Sequence, residues 1–187
     1  MDVALRAGVA VLERAVAYCL GSLSLVTPAL LTSPTPCGRW DLRALLTHLI
    51  DSMAALREAA ETGRVTLTAP PPAAGVIPLA RDQAVLLLGA WVSARDNSAV
   101  RVEHAALSAP LIAGAGAIEL TAHGWDIAHA CGRPRPIPPD LADELLDLAV
   151  VLIHPADRPG RFARPLPPSP GAAPGDRLLA FLGRPLS

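Results

Sequence analysis

The sequence has few aromatic residues and few charges of either sign. Aromatic side chains make up 3% of the 187 residues, charged ones make up 18%, and the formal net charge is −1. Proteins that bind single-stranded nucleic acid use basic grooves with interleaved aromatic side chains, and no such basic stripe is present in this sequence. We therefore expect no nucleic-acid partner and no recruitment to an anionic membrane by charge.

No uninterrupted apolar run is long enough to cross a membrane. The longest, AVLLLGAWV at positions 84–92, is far shorter than the roughly 18 residues that a membrane helix needs. Charged residues also interrupt the N-terminal segment MDVALRAGVAVLERAVAYCLGS, which lacks the basic start and the apolar core of a signal peptide. The sequence therefore predicts no membrane partner.

Cysteine is scarce, and its spacing is not typical of a disulfide framework or a thiolate zinc site. The three residues Cys19, Cys37 and Cys131 are odd in number and form no C-x-x-C pair. We expect reduced thiols and a cytoplasmic location.

The sequence does have a large apolar content and long helical periodicity. Apolar residues make up 51% of the chain, which is enough for a compact protein with one core. Apolar residues that recur every three or four positions predict four long helices, at 3–31, 41–63, 79–98 and 110–131. A fifth helix is predicted at 139–153, and the closing DRLLAFLG predicts a short one. Since RVTLT is the only alternating run, the predicted fold class is all-α.

We interpret residues 1–187 as a single domain with two parts. Residues 1–153 form the helical bundle, and residues 154–187 form a proline-rich extension that packs on it. Asp41 is the predicted N-cap of the second helix, and Gly63 is its predicted end. Gly114 and Gly116 lower the helix propensity of the fourth helix, so we expect them where two helices approach closely.

The fourth predicted helix carries two polar side chains four residues apart in an otherwise apolar run. Within IELTAHGWDIAHA, at positions 118–130, Glu119 and His123 lie on the same helix face. Such a pair is often a local, helix-stabilising contact. An unpaired carboxylate would be costly to bury, so an interior Glu119 would need a metal or another cation.

A helical bundle brings side chains from facing helices into one interior site. The second helix offers His48 within LLTHLIDSM, where a lone histidine is usually a hydrogen-bonded core residue. Together with Glu119 and His123 it would form a set of two imidazoles and one carboxylate, which suits Zn²⁺ and leaves one coordination position open. Ni²⁺ or Fe²⁺ would fit the same donors. The spacing alone leaves both interpretations open.

Three blocks of the sequence occur together in one order: PTPCGRWDLRALLTHLI, ELTAHGWDIAHACGRP and PGDRLLAFLGRP. In that order the chain resembles the actinobacterial branch of the DinB-like metal-binding proteins, which includes mycothiol-dependent maleylpyruvate isomerase and related thiol S-transferases. The resemblance implies a four-helix bundle, to which the sequence pattern adds a further helix and an irregular C-terminal extension. It also implies that His48, Glu119 and His123 bind one divalent metal, for which the donor set favours Zn²⁺ over Ni²⁺ and Fe²⁺, and that mycothiol is a co-substrate.

Two aspartates follow the proposed histidine ligands at a spacing of three residues. Asp126 follows His123, and Asp51 follows His48, so each can accept a hydrogen bond from a ligand imidazole and orient it. Each can equally face solvent or pair with an arginine.

The remaining polar and aromatic candidates receive weaker assignments. Trp125 is predicted to be a core residue, and His129 lies about 120° around the helix from His123, away from the proposed site. His104 and His154 are given no role, and Cys37 and Cys131 are interpreted as structural because nothing nearby in the sequence lowers their pKa. The arginines available to hold a carboxylated or sugar-bearing thiol are Arg43, Arg81 and Arg161.

The expected function follows from an open coordination position. A divalent metal favours the anionic form of a bound thiol or water at neutral pH. We expect a metal-dependent thiol transferase or isomerase that activates a low-molecular-weight thiol for S-transfer to, or cis–trans isomerisation of, a small-molecule electrophile. One alternative is a hydrolase or another specialised metabolic enzyme that uses metal-bound water. The other is a non-catalytic metal-binding bundle, or one that forms a homodimer through its apolar faces.

Overall fold

Four long helices form the body of the computed structural model, which describes residues 3–38, 40–66, 75–94, 99–102, 105–158 and 162–185. The helices are α1 (Val3–Leu23), α2 (Leu42–Thr62), α3 (Val76–Ser93) and α4 (Ala109–Ala130). α1 packs on α4 and α3, and α2 also packs on α3 and α4, so each helix has two neighbours around a common core. The predicted DinB-like four-helix bundle is confirmed.

Large apolar side chains from all four helices fill the interior. Leu12 of α1, Met53 of α2, Leu87 of α3 and Leu120 of α4 are each fully buried. Trp91 of α3 is also buried, and its indole Nε1 donates a hydrogen bond to the Leu56 carbonyl of α2 at 3.1 Å. α1, α2 and α3 each turn one apolar face to the core, whereas α4 is buried on nearly all sides because it packs on α1, α2 and a further helix.

The ends of α2 follow from local chemistry. The Asp41 side chain accepts a hydrogen bond from the Ala44 amide at 2.8 Å and so caps the first turn. Gly63 ends the helix in the left-handed region, with φ of 67°, where a residue without Cβ is unstrained. Both predicted boundaries are confirmed.

Three helix boundaries differ from the predicted ones, two of them next to prolines. α1 ends at Leu23 instead of residue 31, and Thr27 is extended before Pro28, because a residue that precedes proline disfavours the helical conformation. α3 begins at Val76 instead of residue 79, since Pro78 is tolerated in a first helical turn, and it ends at Ser93 instead of residue 98.

A small three-stranded sheet lies beside the helices. Its strands are β1 (Arg64–Val65), β2 (Ala99–Val102) and β3 (Ala105–Ser108). β1 pairs with β2 in parallel, and β2 pairs with β3 antiparallel, with Ala99 opposite Ser108. The fold is mostly α, as predicted, and β1 lies in the alternating run RVTLT, whereas periodicity does not indicate the short β2–β3 hairpin.

The C-terminal part of the chain adds two helices. α5 spans Pro139–Leu152 and packs on α4, and α6 spans Pro174–Phe181 and packs on α5. Leu178, Leu179 and Leu182 are buried there, as their spacing predicted. The C-terminal segment is thus held against the bundle by an apolar contact.

One side of α3 is apolar and exposed. By length and composition alone, α3 is the one helix among the described residues that could cross a membrane, with a mean hydropathy of 1.2 over 18 residues. A bundle helix meets the same criterion. The side of α3 that packs on α1 and α2 carries its buried residues, whereas Val85, Leu86 and Val92 are exposed.

Candidate metal centre

The structure brings together the three side chains that the sequence analysis grouped. His48 projects from α2, and Glu119 and His123 project from successive turns of α4. Glu119 Oε1 lies 2.7 Å from His48 Nε2 and 3.3 Å from His123 Nε2. A carboxylate oxygen therefore stands between two imidazole nitrogens that come from facing helices.

The donor geometry suits a divalent metal ion. One ligand atom from each of His48, Glu119 and His123 lies within 4.8 Å of the others. Metal–ligand bonds of about 2.0–2.2 Å in tetrahedral geometry place ligand atoms roughly 3.3 Å apart, so small side-chain adjustments would bring all three to bonding distance. Two imidazoles and one carboxylate would hold the ion and leave a further position open.

The candidate site is exposed on one side only. The side chains of His48 and Glu119 are 37% and 26% exposed, whereas that of His123 is 6% exposed. The Trp40 ring, also partly exposed, stacks against His48 with the ring centroids 4.7 Å apart. A small molecule would therefore approach from the His48 side.

Sequence reasoning missed Ser52, which touches the carboxylate. Its Oγ donates a hydrogen bond to Glu119 Oε1 at 3.1 Å. Ser52 lies four residues after His48 on α2 and therefore shares a helix face with it. That spacing was the signal that could have identified it.

A second polar group lies behind His123. His123 Nδ1 donates a hydrogen bond to Asp126 Oδ2 at 3.0 Å, and Asp126 is fully buried. Arg184, near the C-terminus, donates from Nη2 to Oδ2 at 2.8 Å and from Nε to Oδ1 at 3.2 Å. Arg184 Nη2 also lies 3.9 Å from the Cys37 sulfur.

Arg184 was not assigned a role from the sequence. It lies in the block PGDRLLAFLGRP, and a single arginine after an apolar helix has no periodic signature. Its partner is 58 residues away along the chain, so only the packed structure identifies the contact.

The charges in this cluster stabilise one another. Burial alone raises the pKa of Glu119, but the imidazoles of His123 and His48 outweigh it and hold that pKa well below its usual range. Burial lowers the pKa of His123, but the Glu119 and Asp126 carboxylates outweigh this effect and raise it to about 9. His123 and Arg184 likewise overcome the effect of burial and lower the pKa of Asp126.

The other predicted orienting residue, Asp51, lies away from the cluster. It is exposed, and within the described ranges it makes no hydrogen bond to His48. Trp125 is 8% exposed, as expected for a core residue, and stacks on His129 at a centroid distance of 4.9 Å. His129 therefore contacts Trp125 and takes no part in the cluster.

The remaining candidates have other environments. Arg81 donates to the Leu23 carbonyl at 3.0 Å and joins α3 to the end of α1, while Arg43 is exposed on α2. His154 caps a short turn by accepting from the Ala156 amide. Arg161 and His104 lie outside the described residues.

The cysteines are free thiols with suppressed ionisation. Cys19, Cys37 and Cys131 are all unpaired with one another. Burial raises the pKa of Cys37 and Cys131, and it raises the pKa of Cys19 to about 12. A raised pKa leaves little thiolate at neutral pH, so their environment is unlike that of a reactive cysteine.

The chain is similar to known proteins over most of its length. The family model described as the mycothiol maleylpyruvate isomerase N-terminal domain matches residues 12–128. Two uncharacterized proteins of Mycobacterium tuberculosis, from the CDC 1551 / Oshkosh and ATCC 25618 / H37Rv strains, are each 28% identical over 173 residues, covering 82% of this chain and 85% of the relative. No solved structure matches the chain significantly. The matched residues include His48, Glu119, His123 and Asp126, whereas Arg184 lies beyond them.

Proposed function

We propose a thiol-dependent activity from the premise that this chain belongs to the mycothiol maleylpyruvate isomerase N-terminal domain family. In this proposal His48, Glu119 and His123 hold one divalent metal ion, with Zn²⁺ favoured over Ni²⁺ and Fe²⁺. The substrates are a low-molecular-weight thiol such as mycothiol and a small electrophile. The observation that carries the proposal is the convergence of the three donor groups on a point open to solvent from the His48 side.

Each residue has a specific task in the proposed site. His48 and His123 present ring nitrogens, and Glu119 supplies the negative charge that partly neutralises the cation. A divalent ion held there supplies positive charge that favours the anionic form of a thiol at neutral pH. Ser52 restrains Glu119 through its hydroxyl, and the Trp40 ring offers an apolar surface beside the opening.

In the proposed reaction the thiolate is the nucleophile. Its sulfur adds to an electrophilic carbon, so that an S–C bond forms with the electron pair of sulfur. In S-transfer a leaving group departs with its bonding pair. In isomerisation the added thiolate is expelled after rotation about the former double bond, which restores the alkene. Neither course changes the overall oxidation state.

The chain's own cysteines do not supply this nucleophile. Burial raises the pKa of all three thiols, and a thiol with a raised pKa is a poor source of thiolate. The reactive sulfur must therefore come from a small molecule. A reducing cytoplasm is the compartment in which such a thiol and three free cysteines are both expected.

The test is a conjugation assay with the full chain, loaded in turn with Zn²⁺, Ni²⁺ and Fe²⁺. Mycothiol, glutathione and a no-thiol control are each combined with alkyl halides, epoxides and activated cis-alkenes. We expect turnover that requires both metal and thiol, that is lost in His123→Ala, and that is retained in His129→Ala, a matched control on the same helix.

Two results of this assay would favour a different function. Metal-dependent turnover that is indifferent to every thiol would favour a hydrolase that uses water. A chain that holds metal but turns over none of these electrophiles, with any thiol, would favour a non-catalytic metal-binding bundle.

A further inference from the structure

We infer that Arg184 is a positioning residue for the metal centre, because its buried ion pair with Asp126 holds the imidazole of His123 in its ligating orientation. This inference rests on the proposed function. The C-terminal segment, residues 162–185, then completes a site whose proposed ligands come only from α2 and α4.

The contact between Arg184 and Asp126 is a two-point contact. Arg184 Nη2 donates to Oδ2 at 2.8 Å, and Nε donates to Oδ1 at 3.2 Å, so both carboxylate oxygens are engaged. Such a planar fork fixes the plane of the carboxylate and not only its distance. Both residues are buried, and a buried carboxylate without a counter-charge would be costly.

The fixed carboxylate in turn determines the orientation of the ring. Asp126 Oδ2 accepts from His123 Nδ1 at 3.0 Å, so Nδ1 keeps its proton and Nε2, which faces Glu119, is the nitrogen left to bind a metal once its own proton has gone. A carboxylate behind a ligand imidazole selects the tautomer and the ring orientation that the metal requires. If Asp126 rotated, Nε2 would no longer point reliably at the other donors.

The backbone at the end of α6 holds Arg184 in place. Its amide donates to the Leu179 carbonyl at 2.9 Å, directly after Gly183, which has a φ of 76°. A Cβ at Gly183 would come within 2.7 Å of the Ala163 Cβ and 2.8 Å of the Arg164 carbonyl oxygen. The guanidinium therefore projects from a tightly defined turn.

The surroundings of Arg184 distinguish a positioning role from substrate binding. Only 8% of the residue is exposed, and its guanidinium donors are directed at Asp126, the Leu182 carbonyl and the Cys37 sulfur. These protein groups occupy the guanidinium, as a positioning role requires.

The test measures metal affinity in the full-length protein by competition with a chromophoric chelator, using Zn²⁺. The variants are Arg184→Ala, Arg184→Lys and Asp126→Asn. The matched control is Arg177→Ala, which removes an exposed ion pair with Asp143 from the same C-terminal segment. The absorption spectrum of the Co²⁺-loaded protein reports ligand geometry, and thermal unfolding of the metal-free protein reports stability.

We expect Arg184→Ala and Asp126→Asn each to weaken Zn²⁺ binding by about 10- to 100-fold and to alter the Co²⁺ bands. Arg184→Lys keeps the charge without the fork and should be intermediate, while Arg177→Ala should match the wild type. The double variant, with Arg184→Ala and Asp126→Asn together, should bind Zn²⁺ with nearly the affinity of the single variant that binds it less tightly. The two effects should not add, because both changes interrupt one chain of contacts.

Wild-type affinity and unchanged Co²⁺ bands in the Arg184 variants, with only a lower unfolding temperature, would overturn the inference and leave the metal centre intact. Failure of the wild-type protein to take up metal would overturn both proposals. If Arg184→Ala does not fold, Arg184→Lys and Asp126→Asn decide the same comparison.

Discussion

Glu119 Oε1 lies 2.7 Å from His48 Nε2, although the two residues are 71 positions apart in the chain. The contact crosses from α4 to α2 and brings His48 beside the Glu119–His123 pair that α4 provides by itself. The cluster therefore depends on both the local spacing within α4 and the packing of two helices.

The proposed ligands should be individually required for metal content. Protein purified without added metal should contain near-stoichiometric divalent metal, and His48→Ala, Glu119→Ala or His123→Ala should each lose most of it, because two remaining donors hold an ion weakly. Elemental analysis of each purified variant measures this directly. Asp51→Asn and His129→Ala, whose side chains lie outside the cluster, should retain wild-type content. Metal content equal to that of the wild type in all three alanine variants would refute the ligand set.

Metal uptake should release a proton from His123. In the metal-free protein the Glu119 and Asp126 carboxylates outweigh burial and raise the pKa of this imidazole to about 9. A metal ion binds the deprotonated nitrogen, so below about pH 9 the proton must leave before the metal binds. The apparent metal affinity should therefore fall by up to about tenfold for each unit by which the pH is lowered below 9.

Calorimetry at about pH 7.5, in two buffers of different ionisation enthalpy, should detect about one proton released from His123 per metal bound. His129→Ala serves as the control and should give the same value. An affinity that is constant from pH 7 to 9, with no proton release, would contradict this assignment.

Two glycines of α4 should respond oppositely to alanine. A Cβ on Gly124 would lie 3.1 Å from a Tyr18 ring carbon and 3.2 Å from the Cys19 Cα, so α1 would have to move. We expect Gly124→Ala to lower the free energy of unfolding by about 1–3 kcal/mol despite its better helix propensity.

Gly114→Ala is the matched control on the same helix. A Cβ there would make an ordinary contact with the Leu148 side chain at 3.5 Å, so the change should raise the free energy of unfolding by up to about 1 kcal/mol. Urea denaturation of both variants measures the difference. Equal effects would mean that α1 and α4 are not as close as the structure describes.

Tyr18 should ionise only in strongly alkaline solution. Its hydroxyl donates to the Arg135 carbonyl at 2.7 Å, and burial raises its pKa well above the usual value of about 10. Below pH 10 the phenol is neutral in both the folded and the unfolded protein, and its contribution to stability is complete. Above that, the unfolded chain loses the proton first, so stability should fall as the pH rises.

Tyrosinate absorbance tests this directly, because the chain contains one tyrosine. The absorbance should appear together with loss of helical circular dichroism. Tyr18→Phe should lower the free energy of unfolding by about 1 kcal/mol at neutral pH, the contribution of one hydrogen bond. The variant should also lack the tyrosine-dependent decline in stability above pH 10. Ionisation of a still-folded protein near pH 10 would show that the hydroxyl is accessible.

Local features were predictable because they depend on neighbouring residues. The N-cap at Asp41, the end of α2 at Gly63 and the shared face of Glu119 and His123 follow from side-chain chemistry and a repeat of 3.6 residues per turn. The bundle argument added His48 as the partner of that pair, and the resemblance then favoured a metal over a local hydrogen-bonded contact.

Features that join distant parts of the chain were not predictable in this way. The β2–β3 hairpin has strands of four residues each, which is too short for a clear alternation. Gly114 and Gly116 were both expected at close approaches. A Cβ on Gly116 would lie 2.8 Å from the Leu56 side chain, as expected, whereas Gly114 has room for one. The close approach of α1 at Gly124 was not predicted, because spacing along α4 does not show which side faces α1.

The sequence by itself determined the approximate positions of the helices, the caps of α2 and the pairing of one carboxylate with one imidazole, since each needs only residues within a turn or two. Tertiary structure alone decided that Ser52 touches Glu119 and that Arg184 reaches Asp126 from the C-terminal segment. Those contacts join residues 67 and 58 positions apart, and their geometry exists only once the apolar faces of the helices have packed together.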